Sequence, residues 1–103
     1  DLARFYRALF AGKVYRRAAT LQIMLVVPPT NNDAPGGPYA VGIASRKIAG
    51  NLCWGHTGFW VTSAYYCPDA DVTIVRHYNQ GRPSGFVFND LYDHIAELLE
   101  IKK

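Results

Sequence analysis

The first apolar residues of the chain recur at the spacing of an amphipathic helix. They lie at positions i, i+3, i+4, i+7 and i+8, namely Leu2, Phe5, Tyr6, Leu9 and Phe10, and this spacing puts them on one helical face. Gly12 follows where a left-handed residue commonly ends a helix. The pattern therefore predicts an N-terminal helix that ends before Gly12.

A second segment, from Arg17 to Val27, starts with helical spacing. Its last part, Ile23 to Val27, fits a strand as well as a helix by periodicity alone. Pro28 and Pro29 end the segment in either case, because proline removes a donor and disfavours helix in the preceding residue.

The middle of the chain predicts an antiparallel meander. After a loop rich in Pro, Gly and Asn, alternation of apolar residues predicts a strand through Tyr39, Val41 and Ile43. Two apolar runs follow, Leu52 to Thr57 and Trp60 to Cys67. A turn at Pro68-Asp69-Ala70-Asp71 then leads into a strand from Val72 to Tyr78.

The last segment is the clearest helix of the sequence. Its apolar residues share one face: Phe88, Leu91, Tyr92, Ile95, Leu98 and Leu99. The order of elements predicts an α+β fold, with three to four antiparallel strands flanked by N-terminal helices and a C-terminal helix. No linker or repeat divides residues 1–103, so we expect a single domain.

Composition narrows the classes of function. Half of the 103 residues are hydrophobic and 18% are charged, which is typical of a globular chain. The net charge of +3 is spread out rather than gathered in a basic stripe, so no nucleic-acid partner is expected. No apolar run approaches the roughly 20 residues of a membrane-spanning helix.

Cysteine and histidine spacing predicts no metal site and no cofactor. Cys53 and Cys67 do not form the paired Cys-x-x-Cys units of a zinc site. If the hairpin reverses at Phe59 and Trp60, Cys53 falls opposite Tyr66 or Cys67. A cross-strand disulfide is then possible, and two buried thiols are the alternative.

The candidate chemistry lies in Gly55-His56-Thr57-Gly58-Phe59. The two glycines allow another backbone or a ligand to approach the strand closely. His56 and Thr57 add an imidazole and a hydroxyl beside strand amides. This combination suits an anionic or amide-bearing ligand that lies along a strand edge.

The wider context resembles the serine β-lactamase and penicillin-binding-protein superfamily, in particular its class C-like branch with esterases and D-alanyl-D-alanine carboxypeptidases. The third motif of that branch is Lys- or His-Thr-Gly on a sheet-edge strand. The residues that carry the resemblance are Gly55-His56-Thr57-Gly58-Phe59, Thr62-Ser63, Pro68-Asp69, Val72-Thr73-Ile74-Val75 and Asn79. The opening helix and the closing helix extend the resemblance over most of the chain.

The resemblance implies a role for each residue of the motif. Thr57 would hydrogen-bond the carboxylate or acyl-side amide of the substrate, and His56 would add polarity or positive charge near it. Gly58 would leave room for the substrate. The backbone N–H of Phe59 would be one donor of the oxyanion hole.

The family's Ser-x-x-Lys nucleophile motif does not occur in the sequence. The lysine after Ser45 is Lys47, at position i+2, whereas the motif requires position i+3. Ser63 and Ser84 have no lysine at position i+3. The resemblance therefore implies a C-terminal fragment of a serine hydrolase that acts on an amide, an ester or a β-lactam. Its partners would be the N-terminal part of the same protein and a small-molecule or peptide substrate, and the fragment alone should be inactive.

Two other hypotheses stay open. The chain could be a binding module that holds a peptide or partner at its sheet edge, or a non-catalytic piece that associates with itself. A fragment with an exposed sheet edge is expected to form a dimer or a higher oligomer. The resemblance also implies a periplasmic or secreted location.

Overall fold

The order of elements along the chain is two helices, four strands and a helix. The computed structural model describes residues 1–34, 37–58, 62–77 and 88–98. Its helices and strands are α1 (Leu2–Phe10), α2 (Ala18–Met24), β1 (Ala44–Ile48), β2 (Asn51–Thr57), β3 (Ser63–Cys67), β4 (Val72–Arg76) and α3 (Phe88–Leu98). The strands form one antiparallel sheet in the order β1-β2-β3-β4. The predicted α+β fold is thus confirmed.

The first strand does not lie where alternation placed it. Residues Tyr39 to Ile43 form no strand; the Ala40 N–H donates to the Ile43 carbonyl and closes a tight turn at Gly42, which has a φ of 70°. Only an isolated bridge joins Tyr39 to Ala44. The strand begins at Ala44 instead. Alternation of apolar residues does not predict it, because Ser45, Arg46 and Lys47 are all polar.

The other boundaries follow from local signals. α2 ends at Met24, so the ambiguous segment is helical there and contributes no strand. β1 and β2 are joined through Ala49 and Gly50, both with positive φ, as a two-residue hairpin turn requires. The turn predicted at Pro68-Asp69-Ala70-Asp71 contains a 3-10 helix, Pro68–Ala70, and Asp71 follows it with a φ of 48°. The expected ends of β4 at Tyr78 and of α3 at Leu99 lie outside the described residues.

Helices cover both faces of the sheet, because successive strand residues point to opposite sides. On one face, Tyr92 of α3 packs against Ile48, Cys53, Tyr65, Cys67 and Ile74. On the other, Ala64, Trp54 and Tyr66 pack against Tyr6 and Phe10 of α1 and against residues around α2 and the turn before β1. No helix in the described ranges is both long and apolar enough to cross a membrane.

Tyr92 anchors α3 through several contacts. Its ring lies 4.8 Å from the guanidinium carbon of Arg46 and 4.8 Å from that of Arg76. Its hydroxyl is hydrogen-bonded to the Ser63 hydroxyl within the core. It also meets the Tyr65 ring edge-on, with the ring centres 5.5 Å apart. One aromatic side chain thus connects α3 to β1, β3 and β4.

A disulfide joins Cys53 of β2 to Cys67 of β3, which settles the alternative that the sequence left open. Trp54 faces Tyr66 and Gly55 faces Tyr65, and this register places the two cysteines directly opposite each other. Their Cα atoms are 4.1 Å apart, the close spacing of a pair that exchanges no backbone hydrogen bonds. Both side chains are buried, at 0% and 1% exposure.

Candidate functional site at the end of strand β2

The sequence-predicted triplet lies where β2 extends beyond β1. The β1–β2 ladder ends with Ala44 opposite Gly55. His56, Thr57 and Gly58 follow, and all three are exposed. β2 is therefore not the edge strand that the resemblance implied, because β1 and β3 flank most of its length. Only its last residues present an open side.

Backbone direction determines which groups point to that open side. The Gly58 N–H donates to the Thr62 carbonyl at 2.6 Å, toward β3. In an antiparallel ladder, consecutive residues direct their N–H and C=O groups to alternate sides. The N–H and C=O of Thr57 therefore point away from β3, toward the space beyond the end of β1. An extended ligand placed there would meet strand amides as well as side chains.

Both ring nitrogens of His56 have partners. Nδ1 lies 2.6 Å from the Thr57 carbonyl oxygen, and a carbonyl can only accept, so Nδ1 carries the proton. In a neutral imidazole Nε2 is then an acceptor. It lies 2.9 Å from the Tyr39 hydroxyl, which donates to it. The two rings meet edge-on, with their centres 5.6 Å apart.

The two glycines of the motif have different surroundings. Gly55 is buried, and a Cβ built on it would overlap the carbonyl oxygen of Ala64 on β3. A Cβ on Gly58 would make ordinary contacts with Thr62, at 3.6 Å from its carbonyl oxygen and 4.0 Å from its Cβ. Gly55 therefore serves the close approach of β3, whereas no atom of the described residues crowds Gly58.

A second imidazole–hydroxyl pair lies on the same face of the sheet. Thr62 Oγ1 is 2.7 Å from Nδ1 of His77. His56 faces Ala64, and Ala64 faces Val75. Strand alternation therefore puts Thr62 and His77 on the face that His56 occupies. The sequence analysis assigned no role to His77. The pairing register of β3 with β4 places His77 beside Thr62, at the same end of the sheet as His56.

The remaining sequence predictions are not brought into this site. Phe59, whose N–H was expected to contribute to the oxyanion hole, and Asn79 lie outside the described residues. Among the residues that the structure describes, no three metal-ligating side chains cluster together. His94 and Glu97 are 3.8 Å apart on the exposed surface of α3, away from the strand end.

The site at the end of β2, hereafter the strand-end site, consists of Tyr39, His56, Thr57 and Gly58. It offers the Tyr39 hydroxyl, the His56 imidazole and an exposed stretch of strand backbone. Thr57 adds a second hydroxyl, which strand alternation directs to the face of the sheet opposite His56. Comparisons of the chain with protein-family models, with curated proteins and with solved structures found no match.

Proposed function

We propose that the strand-end site binds the substrate in a β-lactamase-like serine hydrolase, which acts on an amide, an ester or a β-lactam. One observation carries the proposal: His56, Thr57 and Gly58 are exposed together where β2 extends beyond its neighbour β1. A ligand that lies along this end could use backbone and side-chain groups at the same time.

The chemistry proposed for the site is substrate binding. The Thr57 hydroxyl donates to a carboxylate or amide oxygen of the ligand, and the backbone N–H of Thr57 donates to a carbonyl of the ligand's extended chain. The Thr57 carbonyl accepts from His56 Nδ1 instead. Gly58 leaves the space that the ligand occupies. The N–H of Phe59 donates to the oxyanion of the tetrahedral intermediate.

The nucleophile belongs to another segment in this proposal, since no Ser-x-x-Lys occurs in the 103 residues. That serine forms an acyl-enzyme with the substrate, and water then hydrolyses it. The chain by itself binds substrate without turning it over. Because binding and catalysis reside in different segments under this proposal, each can be tested separately.

The binding test is a titration of the ¹⁵N-labelled chain with N-acetyl-D-alanyl-D-alanine and with benzylpenicillin, followed by NMR. We expect shift changes centred on the amides of residues 56–58. Thr57→Val keeps the shape of the side chain and removes the hydroxyl, so it should weaken binding about tenfold. Thr20→Val is the control, because Thr20 lies in α2. Equal binding by both variants and the unchanged chain would contradict the proposal.

The catalytic test uses a fluorescent penicillin and the gene that encodes the chain. The 103 residues should not be labelled. An open reading frame that also encodes, upstream, Ser-x-x-Lys and the superfamily's Tyr-x-Asn motif supports the proposal, and its product should be labelled at the serine of Ser-x-x-Lys. A start codon directly before Asp1 would contradict it.

A second candidate is a non-catalytic module that self-associates through its sheet edge. β4 is an edge strand of the described sheet, and its Val75 is 42% exposed. An open edge strand can pair with another chain. Light scattering that shows a dimer, disrupted by Val75→Lys, would favour this candidate, whereas a monomer would exclude it.

A further inference from the structure

We propose that the Tyr39 hydroxyl is a ligand-contacting group of the strand-end site, and that His56 is a positioning residue that sets whether this hydroxyl donates or accepts. The inference rests on the proposed function in one respect, namely that a ligand lies along the open end of β2. It changes the expected role of His56, which was to face the ligand directly.

His56 has no ring nitrogen to offer to a ligand. Nδ1–H donates to the carbonyl of Thr57 and Nε2 accepts from Tyr39. A direct contact between the imidazole and a ligand would break one of these bonds. The polar atom at the outer end of this chain of hydrogen bonds is the Tyr39 oxygen.

The backbone of Tyr39 is held in place by hydrogen bonds. Its N–H donates to the Asn31 carbonyl at 3.2 Å, and its own carbonyl accepts from the Asn31 side-chain amide at 3.2 Å. The bridge to Ala44 attaches it to the start of β1. Its half-buried ring therefore presents the hydroxyl to the strand end from a fixed position.

The protonation state of His56 determines the direction of the Tyr39 hydroxyl proton. When the imidazole is neutral, the Tyr39 hydroxyl donates to Nε2, and its oxygen offers only lone pairs to a ligand. When the imidazole is protonated, Nε2–H donates to the Tyr39 oxygen. The Tyr39 proton then turns outward and can donate to a carboxylate. A positive charge and a new donor thus arise together.

The other titratable groups near His56 allow this assignment to be tested cleanly. Tyr6 of α1 packs against Ala64, the residue opposite His56. Burial raises the pKa of Tyr6, so it stays neutral while imidazoles titrate. His77 of the β4 end shares the face of His56 and can contribute its own charge, which makes His77→Gln the necessary control.

The site should therefore prefer a small acylated peptide with a free carboxylate, and should bind it more tightly as the pH falls. The probe is N-acetyl-D-alanyl-D-alanine, with its C-terminal carboxamide as the neutral counterpart. An α-carboxyl group has a pKa near 3.5, so the probe keeps its charge between about pH 5.5 and pH 8, where imidazoles titrate.

The first experiment needs no ligand. ¹⁵N-histidine NMR at about pH 8 reports which nitrogen of a neutral imidazole carries the proton. We expect His56 to be protonated at Nδ1 in the unchanged chain, and Tyr39→Phe to increase the Nε2–H form. Tyr15→Phe, which removes a hydroxyl bonded to the Met24 sulfur instead, should change nothing. Protonation at Nε2 in the unchanged chain would overturn the positioning role without any variant.

The second experiment measures the dissociation constant of each probe at both pH values. We expect the carboxylate probe to bind about tenfold more tightly at the lower pH, the value of one charge-assisted hydrogen bond. The carboxamide should show little change. His56→Gln should abolish the pH effect, Tyr39→Phe should reduce it, and His77→Gln should retain it.

The outcomes separate this inference from the proposed function. If Tyr39→Phe binds like the unchanged chain at both pH values while Thr57→Val does not, the role of Tyr39 is wrong and the substrate-binding function stands. If the unchanged chain binds neither probe although His56 is protonated at Nδ1, the proposed function and the ligand contact by Tyr39 are both wrong. The hydrogen bond by which His56 orients the Tyr39 hydroxyl would still stand.

Discussion

The carbonyl oxygen of Ala64 on β3 occupies the space that a Cβ on Gly55 of β2 would need. β3 therefore approaches β2 too closely at Gly55, one residue before the strand-end site, to leave room for a side chain. The two glycines that flank His56 and Thr57 therefore differ in role. Gly55 allows β2 and β3 to pack, and Gly58 leaves space for the ligand.

Alanine at Gly55 should be strongly destabilising. The added methyl group would meet backbone atoms, which cannot rotate away, so β2 and β3 would have to separate. We expect a loss of about 3 kcal/mol or more in the free energy of unfolding. Urea denaturation, followed by circular dichroism, measures this loss.

Gly58→Ala is the matched comparison. Its methyl group would make an ordinary contact with the Thr62 carbonyl oxygen, so the free energy of unfolding should change by less than about 0.5 kcal/mol. The same variant should weaken ligand binding, because the methyl group occupies the space beside Thr57. A destabilisation as large as that of Gly55→Ala would contradict this distinction.

The disulfide between Cys53 and Cys67 should contribute substantially to stability. The cysteines are 14 residues apart in sequence, and closing a loop of this size stabilises a fold by about 3 kcal/mol. Cys53→Ala/Cys67→Ala should lose roughly that amount in urea denaturation. The unchanged chain with a reductant should reach the same midpoint, and the variant should not respond to the reductant. An unchanged midpoint after reduction would show that packing alone holds β2 and β3 together.

Stability should fall at alkaline pH. Burial raises the pKa of Tyr65, with Arg46 opposing it, and burial also raises the pKa of Tyr6. The folded state therefore holds these two protons more tightly than the unfolded state, whose tyrosines titrate at about pH 10. The stabilisation is complete below that pH and is lost as the pH rises through the folded pKa values.

Urea denaturation at about pH 8 and at several values above pH 10 tests this dependence. Tyr65→Phe should flatten the decline, because phenylalanine cannot ionise. Tyr15→Phe should leave it unchanged. A profile for Tyr65→Phe as steep as that of the unchanged chain would show that other groups control the alkaline transition.

Removal of the Tyr92 side chain should detach α3 from the sheet. Tyr92 is 1% exposed and contacts Arg46, Ser63, Tyr65 and Arg76. Tyr92→Ala should cost about 3–5 kcal/mol, whereas Tyr92→Phe, which leaves the buried Ser63 hydroxyl without this bond, should cost about 1 kcal/mol.

Leu98→Ala is the control within the same helix, since Leu98 is 73% exposed and the change should cost less than about 0.5 kcal/mol. Hydrogen exchange of the α3 amides provides the local readout. If Tyr92→Ala leaves their protection unchanged, α3 is held by other contacts.

Sequence periodicity by itself determined the elements whose apolar residues share one face. α1 and α3 were predicted because a helix buries every third or fourth residue. The hairpin of β2 and β3 was predicted together with a register that allows Cys53 to face Cys67. These features depend on near neighbours in the chain, so the pattern contains them.

Only the tertiary structure decided where β1 lies and where it ends. Ser45, Arg46 and Lys47 are polar, yet they form a strand, because hydrogen bonds to β2 and contacts with Tyr65 and Tyr92 stabilise them there. A pattern of hydrophobic residues does not show which strand or side chain a segment will pair with. β2 has an open end only because β1 begins at Ala44, opposite Gly55, and extends no further along β2.

The partners of His56 were decided in the same way. The sequence identified His56, Thr57 and Gly58 as candidates, but Tyr39 lies 17 residues before His56 and was predicted only as part of a strand. The turn at residues 40–43 brings its hydroxyl to the imidazole. Local periodicity determines which face a residue occupies, whereas the contacts across that face depend on how distant segments fold back on one another.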